Sequence, residues 1–415
     1  MSKCTAWASR RVPYGGVETP EREITERLAR WRRSADPRDL WPGLEERAFR
    51  AAMDEMGRAT RLGLESQSPG SPIPCRFSVP VRDLGVAAFT SGLGPLLGSW
   101  AEAGRITVSP DAAGLLAEHL AQGRARAAIL ERGLWRVLDA LRGRGVESAV
   151  LKGMHTAWAY FPDPGTRPSS DIDVLVAPGD FAGAEAALAG LGFRRGATVP
   201  EPPRSEWALP ESPQVPRSLE MTHAGNPWGV DLHASLSRRM RIGRTAGFGS
   251  PPLAETVVVQ RGGRSIRALP QPLLLAWLAF HAASHLDTGP MVRLVELVLV
   301  VRRDFAGRPA LWDDFLRLVD AAAAGRFVYP ALELAERLAP GTVPEEVRRA
   351  LARRAPWLMR RVMARLRPEA AQQLYRVSLD MRLMWAASTR ELLVYLSSLR
   401  RVAVLLKGRM SLRSR

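Results

Sequence analysis

The feature that most constrains this chain is a pair of aspartates, Asp171 and Asp173, inside the apolar run DIDVLV. Side chains alternate across a β-strand, so both carboxylates share one face, while the apolar residues between and after them lie on the other. Two unpaired carboxylates this close repel each other and raise each other's pKa. The strand therefore predicts a cation on its polar face. If none were bound, removal of Asp173 could raise the melting temperature.

A second apolar strand, WGVDLHASL, carries a third acid, Asp231. Three acids on adjacent strands can hold two metal ions about 3.5 to 4 Å apart. Oxygen ligands favour Mg²⁺ or Mn²⁺. His233 shares a face with Asp231, so we expect it to orient that carboxylate from the cleft.

A strand-to-helix turn precedes the acid pair. The apolar run GVESAV ends at Leu151, Lys152 and Gly153, and helical spacing resumes in MHTAWAYF. Backbone N–H groups at such a turn favour phosphate, and a compact ammonium suits a phosphate oxygen. Lys152 is one of only three lysines in the chain. It could equally be an ordinary strand-end lysine, and Gly153 the glycine that the turn needs.

Periodicity and breaker residues divide the chain into four parts. Polar, arginine-rich residues at the start predict a disordered or loosely docked extension, whereas the proline-rich stretch predicts an irregular loop. We also expect a strand over 218–223. The predicted parts are the extension 1–36, an N-terminal helical region 37–144, an α/β core 145–270 with a proline-rich loop 198–216, and a C-terminal helical domain 271–415.

The formal charge of +17 comes from 59 Lys and Arg against 42 Asp and Glu. These cations are spread along the chain, which favours a solvated basic surface. Nucleic acid is a possible partner but not the favoured one, because the sequence shows no aromatic stacking platform and no reading helix. Two cysteines without metal-ligand spacing indicate reduced thiols and a cytoplasmic location. No segment is long and apolar enough for a transmembrane span.

A glycine turn, a helix, an Asp-x-Asp strand and a third Asp on a later strand together resemble the DNA polymerase β-like nucleotidyltransferase superfamily. More closely, LKG, FPDPGTRPSSDIDVLV, VDLH and the helical HAASH resemble a group of uncharacterised bacterial nucleotidyltransferases, over about residues 115–303. The resemblance implies an α+β fold. A small mixed β-sheet would form the nucleotidyltransferase core, flanked by the N-terminal helical region and the C-terminal helical domain.

The same resemblance implies an activity: transfer of a nucleoside monophosphate from an NTP donor to an acceptor hydroxyl on a small molecule, peptide or protein. Two Mg²⁺ or Mn²⁺ ions would assist it. Asp171 and Asp173 would bind metal, and Asp231 would bind the second metal and act as a base. The Gly153 turn with Lys152 would hold the triphosphate.

Two features depart from the pattern, and one of them is a gap from Gly153 to Asp171 that is longer than the commonest spacing. Many superfamily members have serine after the turn glycine, whereas this chain has Met154. Arg167 and Ser170, just before the acid pair, could supply the missing phosphate contact. The departure also leaves open a different class of function, a nucleotide-binding or regulatory scaffold with the same fold and little transfer activity.

His281 and His285 lie four residues apart in HAASH, and therefore on one helix face. This spacing can bind zinc, but the glutamate of the H-E-x-x-H motif is missing. We expect instead that they are core histidines or that they line the far wall of the cleft.

Overall fold

The computed structural model describes residues 20–34, 36–65, 72–199, 202–210, 215–240, 242–286, 289–371 and 378–397. The helices are α1 (Glu21–Ser34), α2 (Glu46–Glu65), α3 (Val81–Ser91), α4 (Gly94–Glu102), α5 (Pro110–Arg142), α6 (Met154–Tyr160), α7 (Phe181–Gly190), α8 (Leu273–Ser284), α9 (Val292–Val300), α10 (Pro309–Ala321), α11 (Gly325–Leu338), α12 (Glu345–Arg354), α13 (Trp357–Arg365), α14 (Pro368–Ala371) and α15 (Leu379–Leu383). The strands are β1 (Ile73–Pro74), β2 (Ile106–Thr107), β3 (Ser148–Val150), β4 (Asp171–Val176), β5 (Arg194–Val199), β6 (Arg204–Ala208), β7 (Gly229–His233), β8 (Ser237–Arg239), β9 (Thr245–Gly247), β10 (Val257–Arg261) and β11 (Arg264–Ala268).

A mixed seven-stranded sheet forms the centre of the fold, in the order β10-β11-β3-β4-β7-β6-β5. The β4–β7 and β11–β3 pairs are parallel, and the other neighbours are antiparallel. The pair β8–β9 forms a separate hairpin after β7. The acid-bearing strands β4 and β7 therefore lie side by side near the middle of the sheet.

The two faces of the sheet bury different cores. Ile172, Val174 and Val176 of β4 pack with the apolar sides of α5 and α7. Leu175, which faces the other way, belongs to the larger core formed with α8, α9 and α11. The acids of β4 share a face with Leu175 and therefore point toward α8, α9 and α11. The site thus lies between sheet and helices.

The larger core also includes residues of α2, α3 and α4, so the first and last helical regions share one apolar interior. Ion pairs support this contact: Arg61 with Glu369, and Arg367 with Asp54 at 2.8 Å. The predicted α+β class, with helices before and after a mixed sheet, is confirmed. Over the described ranges, no helix combines the length and apolarity needed to cross a membrane.

Three local predictions are corrected. Residues 21–34 of the predicted extension form an amphipathic helix whose Ile24 is fully buried, while 1–19 lie outside the described residues. The segment 198–216 is not a continuous loop, because the proline-free stretch within it forms β6, with alternating burial and pairing on both sides. The described residues 218–223 form no strand.

Candidate metal centre

The parallel pairing of β4 and β7 places two of the three predicted acids side by side. Asp173 lies opposite Asp231 in the register, and Leu175 lies opposite His233. Since residues two apart on a strand share a face, Asp173, Asp231 and His233 all project toward the helices. One ligand atom from each lies within 4.8 Å of the others, and this is the group of metal-ligating side chains found among the described residues.

Two polar atoms in this group have no hydrogen-bond partner. Nε2 of His233 lies 3.5 Å from Oδ1 of Asp173 and 3.7 Å from Oδ2 of Asp231. Neither Asp173 Oδ1 nor His233 Nε2 makes a hydrogen bond to the described residues, although both atoms are buried. Buried polar atoms without partners are costly, so this pair marks a place where a ligand would be stabilising.

Two basic side chains contact the same carboxylates. Lys152 Nζ donates to Asp173 Oδ2 at 2.5 Å, and both side chains are almost fully buried. Arg204, from β6, donates Nε to Asp231 Oδ1 at 3.1 Å and Nη2 to Oδ2 at 2.6 Å. The predicted phosphate ligand Lys152 is therefore bound to an acid in this structure. Arg204 was not predicted.

The pKa values reflect these contacts. Burial alone would raise the pKa of Asp173, but Lys152 and His233 outweigh it and hold this pKa below its usual range. Burial would likewise raise the pKa of Asp231, which His233 and Arg204 lower. Burial would lower the pKa of His233, yet its two acidic neighbours raise it. The two carboxylates and the imidazole between them therefore shift each other's pKa in opposite directions, downward for the acids and upward for the histidine.

Asp171 differs from the other two acids. It is half-buried at the first position of β4 and does not belong to the compact group. Burial raises its pKa, and the charge of Asp173 raises it further. The sequence predicts that each acid raises the pKa of the other, but in the structure only the pKa of Asp171 is raised. Asp171 is placed beside the centre, where a cation would lower its cost.

The turn before α6 has the backbone geometry that favours glycine. Gly153 has φ +67°, and a Cβ there would lie 3.4 Å from Ser169 Oγ and 3.7 Å from Asp171 O. The turn therefore lies directly against the start of β4. Met154 is buried, and the hydroxyl of Thr156 bonds the Gly153 carbonyl at 3.1 Å.

Arg167 and Ser170, predicted to contact phosphate, are placed differently. Arg167 forms a bidentate pair with Glu296 of α9 at 2.6 and 3.0 Å and donates to Ser169 Oγ at 2.7 Å. Ser170 is exposed. Arg167 therefore joins the sheet to α9 and fixes the segment beside Gly153.

His281 and His285 lie on the opposite wall, at the end of α8. Their ring centroids are 5.1 Å apart, and Trp277 separates them from His233 with centroid distances of 6.2 Å to His281 and 6.3 Å to His233. Burial, then nearby cations, lower the pKa of His281 well below its usual value and that of His285 to about 3. Neither belongs to the compact metal-ligating group.

Sequence reasoning missed a buried arginine that fixes this geometry. Arg126 of α5 donates to Ser169 O at 3.3 Å, to Pro227 O at 2.6 Å and to Asn226 O. These carbonyls lie just before β4 and β7, so one side chain joins the starts of both acid-bearing strands. Burial lowers its pKa to about 10. Arg126 lies on a long amphipathic helix, and the sequence pattern of that helix does not show that this side chain is buried against these carbonyls.

A mixed sheet with paired acids on adjacent strands, closed by helices, defines a nucleotidyltransferase-like α+β protein. The chain belongs to the family described as uncharacterised nucleotidyltransferase, whose model matches residues 82–340, more than half of the sequence. No curated protein and no solved structure matches the chain. Family membership supports nucleotidyl transfer in general, with an NTP substrate.

Proposed function

We propose that this protein is a Mg²⁺- or Mn²⁺-dependent nucleotidyltransferase that moves a nucleoside monophosphate from an NTP to an acceptor hydroxyl. The observation that carries the proposal is the buried Asp173, whose Oδ1 lacks a partner and faces His233 and Asp231 across two parallel strands. A cation bound here would give a partner to Asp173 Oδ1 and to His233 Nε2.

The donor set fits a divalent cation. Two carboxylates and one imidazole suit Mn²⁺ well, and carboxylates with added water suit Mg²⁺. We assign Asp171, Asp173 and Asp231 as ligands of two ions. When bound, such ions lower the pKa of an attacking hydroxyl and stabilise the pyrophosphate leaving group. A bound cation would stabilise the ionised form of Asp171 most, because its charge is the least compensated of the three.

The basic residues around the centre would bind the phosphate groups of the donor. Lys152 and the Gly153 turn would hold phosphate oxygens of the donor, with Ser170 at the exposed edge. Arg167 would act through Ser169, because its guanidinium is already bound to Glu296. Arg204 lies on a strand near the sheet edge with a third of its side chain exposed, so it can leave Asp231 when the site is loaded.

Asp231 is the proposed base. Its carboxylate would accept the proton of the acceptor hydroxyl as the acceptor oxygen bonds the α-phosphorus and pyrophosphate departs. His233 and Arg204 already keep the pKa of this carboxylate low, so it is ionised at neutral pH. We also expect the acceptor group to be a hydroxyl and the protein to be cytoplasmic.

A second candidate rests on Met154. A serine hydroxyl is missing after Gly153, and the nearest hydroxyl along the helix, Thr156, is bonded to the Gly153 carbonyl. A scaffold that binds nucleotide without transferring it would tolerate this change. Nucleotide binding with no pyrophosphate release would favour the scaffold over the enzyme.

The first test separates metal binding from catalysis. We would titrate Mn²⁺ by electron paramagnetic resonance into the wild type, Asp171→Asn and the control Asp313→Asn, which removes an exposed acid from α10. Melting temperatures with each of the four NTPs would follow, in Mg²⁺ and in EDTA. Ligand at about a hundred times its Kd stabilises a fold by roughly 2.7 kcal/mol.

We expect weaker Mn²⁺ binding and no Mg²⁺-dependent nucleotide shift in Asp171→Asn, while Asp313→Asn behaves as the wild type. Equal Mn²⁺ binding by all three proteins would refute Asp171 as a ligand, and absence of Mn²⁺ binding by the wild type would refute the metal site. Pyrophosphate release from the stabilising NTP then distinguishes the enzyme from the scaffold.

A further inference from the structure

A cavity of about 310 Å³ lies beside the metal centre, between the β8–β9 hairpin, the end of α8 and residues 381–395. Its size falls at the lower end of the range for small-molecule sites. Arg238, Arg239 and Arg382 line it, and Met384 and Trp385 provide part of its apolar wall. The lining combines cationic groups with a body of apolar surface.

No acidic side chain lies among the described residues that line this cavity. Arg238 donates Nη1 to Ser284 Oγ at 2.9 Å and lies 2.9 Å from His285 Nε2. Because arginine can only donate, this imidazole nitrogen is the acceptor and His285 is neutral. These two neighbours fix Arg238 in place and are both uncharged. A cavity lined in this way attracts an anion.

Two consecutive strands, β7 and β8, link the candidate metal centre to this cavity. Only three residues separate β7, with Asp231 and His233, from β8, with Arg238. The charges of Arg204 and Asp231 both act on Arg238. His285 lines the cavity while its ring contacts His281 on the cleft wall. The cavity and the acids are therefore carried by consecutive strands, and the cavity shares His285 with the histidine wall of the cleft.

Contacts with α11 hold the outer wall of the cavity. Arg326 binds Glu391 at 2.6 and 2.7 Å and donates to Trp385 O at 3.2 Å. Trp385 stacks on Phe327 at 6.2 Å with an interplanar angle of 8°. Preorganised aromatic and cationic groups of this kind lower the cost of ordering a binding site.

We propose that this cavity binds the acceptor, a small molecule with an anionic phosphate or carboxylate head and an apolar or aromatic body. The arginines hold the head and Trp385 contacts the body, so that the acceptor hydroxyl lies toward Asp231. This assignment rests on the proposed nucleotidyl transfer, because it names the substrate class of that same site.

The test uses phenyl phosphate as the probe, with benzyl alcohol as its uncharged counterpart, by isothermal titration calorimetry in EDTA. The proteins are the full-length wild type, the double variant Arg239→Gln/Arg382→Gln, and Arg136→Gln, which removes one exposed charge from α5, away from the cavity. We expect saturable binding of phenyl phosphate by the wild type and Arg136→Gln, and at least tenfold weaker binding by the double variant. Absence of saturable binding, equal loss in Arg136→Gln, or equal binding of benzyl alcohol would overturn the proposal.

A second arm adds the NTP that stabilises the protein, at saturation with Mg²⁺. Phenyl phosphate that still binds supports an acceptor site, whereas displacement shows that the cavity holds the donor's phosphates and overturns the assignment. The EDTA arm needs neither metal nor nucleotide. If no NTP stabilises the protein, the proposed function fails and the acceptor assignment fails with it, while anion binding by the cavity is decided separately.

Discussion

Replacing Asp173 by asparagine tests the electrostatics of the centre more directly than any other change. The carboxylate is 1% exposed, and its Oδ2 accepts from Lys152 Nζ at 2.5 Å. Asp173→Asn keeps the shape of the side chain and removes its charge. The sequence suggested that losing this acid could raise the stability of the metal-free protein, but the structure reverses that expectation. The buried ammonium of Lys152 would be left without its counter-charge.

The magnitude follows from this pairing. Removing one partner of a buried ion pair costs about 3 to 5 kcal/mol. Relief of repulsion with Asp171 and Asp231 offsets part of this cost, so we expect a loss of about 3 kcal/mol in the free energy of unfolding. The lowered pKa of Asp173 gives a contribution that is present above its unfolded value of 3.8 and is lost as pH falls through the folded pKa. Measurement at neutral pH therefore detects all of it.

Asp171→Asn is the matched control, two residues away on the same strand. Its pKa is raised, so at neutral pH its charge costs stability instead of adding to it. Urea unfolding in EDTA should show unchanged or increased stability for Asp171→Asn and a clear loss for Asp173→Asn. Equal effects, or a more stable Asp173→Asn, would refute the reasoning.

Two further predictions concern the surrounding structure. Burial lowers the pKa of His119 from 6.5 to about 4, so between these pH values the imidazole is neutral in the folded protein and protonated in the unfolded chain. The free energy of unfolding therefore falls as pH falls from 6.5 toward 4. In His119→Leu, the free energy of unfolding should fall less over that range than in the wild type, by about 3 kcal/mol, as measured by urea titration at each pH; parallel pH curves would contradict this. A Cβ on Gly229 would lie 2.4 Å from the Trp207 carbonyl of β6, whereas one on Gly114 of α5 meets nothing within 4 Å. Gly229→Ala should therefore cost about 2 kcal/mol and weaken Mn²⁺ binding, while Gly114→Ala should stabilise by up to about 1 kcal/mol; similar urea midpoints would count against the close approach.

The strands that carry the acids could be predicted because they obey the period of two strictly. Asp171 and Asp173 interrupt an apolar run at alternate positions, and Asp231 interrupts the apolar run of the later strand β7. The metal hypothesis required these strands to be adjacent, and the register places Asp173 opposite Asp231. The class of fold and the carboxylate face of the centre were therefore accessible from sequence.

The counter-ions could not be predicted, because they come from elements whose local patterns do not reveal what they face. Arg204 lies within a proline-rich stretch that indicates a loop, and only pairing on both sides makes β6 a strand. Arg293 and Glu296 lie one helical turn apart on α9, yet Glu296 binds Arg167 across 129 positions of sequence. Long-range ion pairs depend on the packing of helices against the sheet, which periodicity does not specify.

The order of the strands has a consequence for how the chain assembles. The strands β3 and β4 are consecutive in sequence and antiparallel, whereas β7 joins β4 in parallel only after two further strands have been made. Parallel pairing of this kind requires a long crossover and closes late. Lys152 lies two residues after β3 and Asp173 lies on β4, so the carboxylate can acquire its ammonium partner before Asp231 arrives. During synthesis, the carboxylate of Asp173 can therefore be paired before β7 covers it.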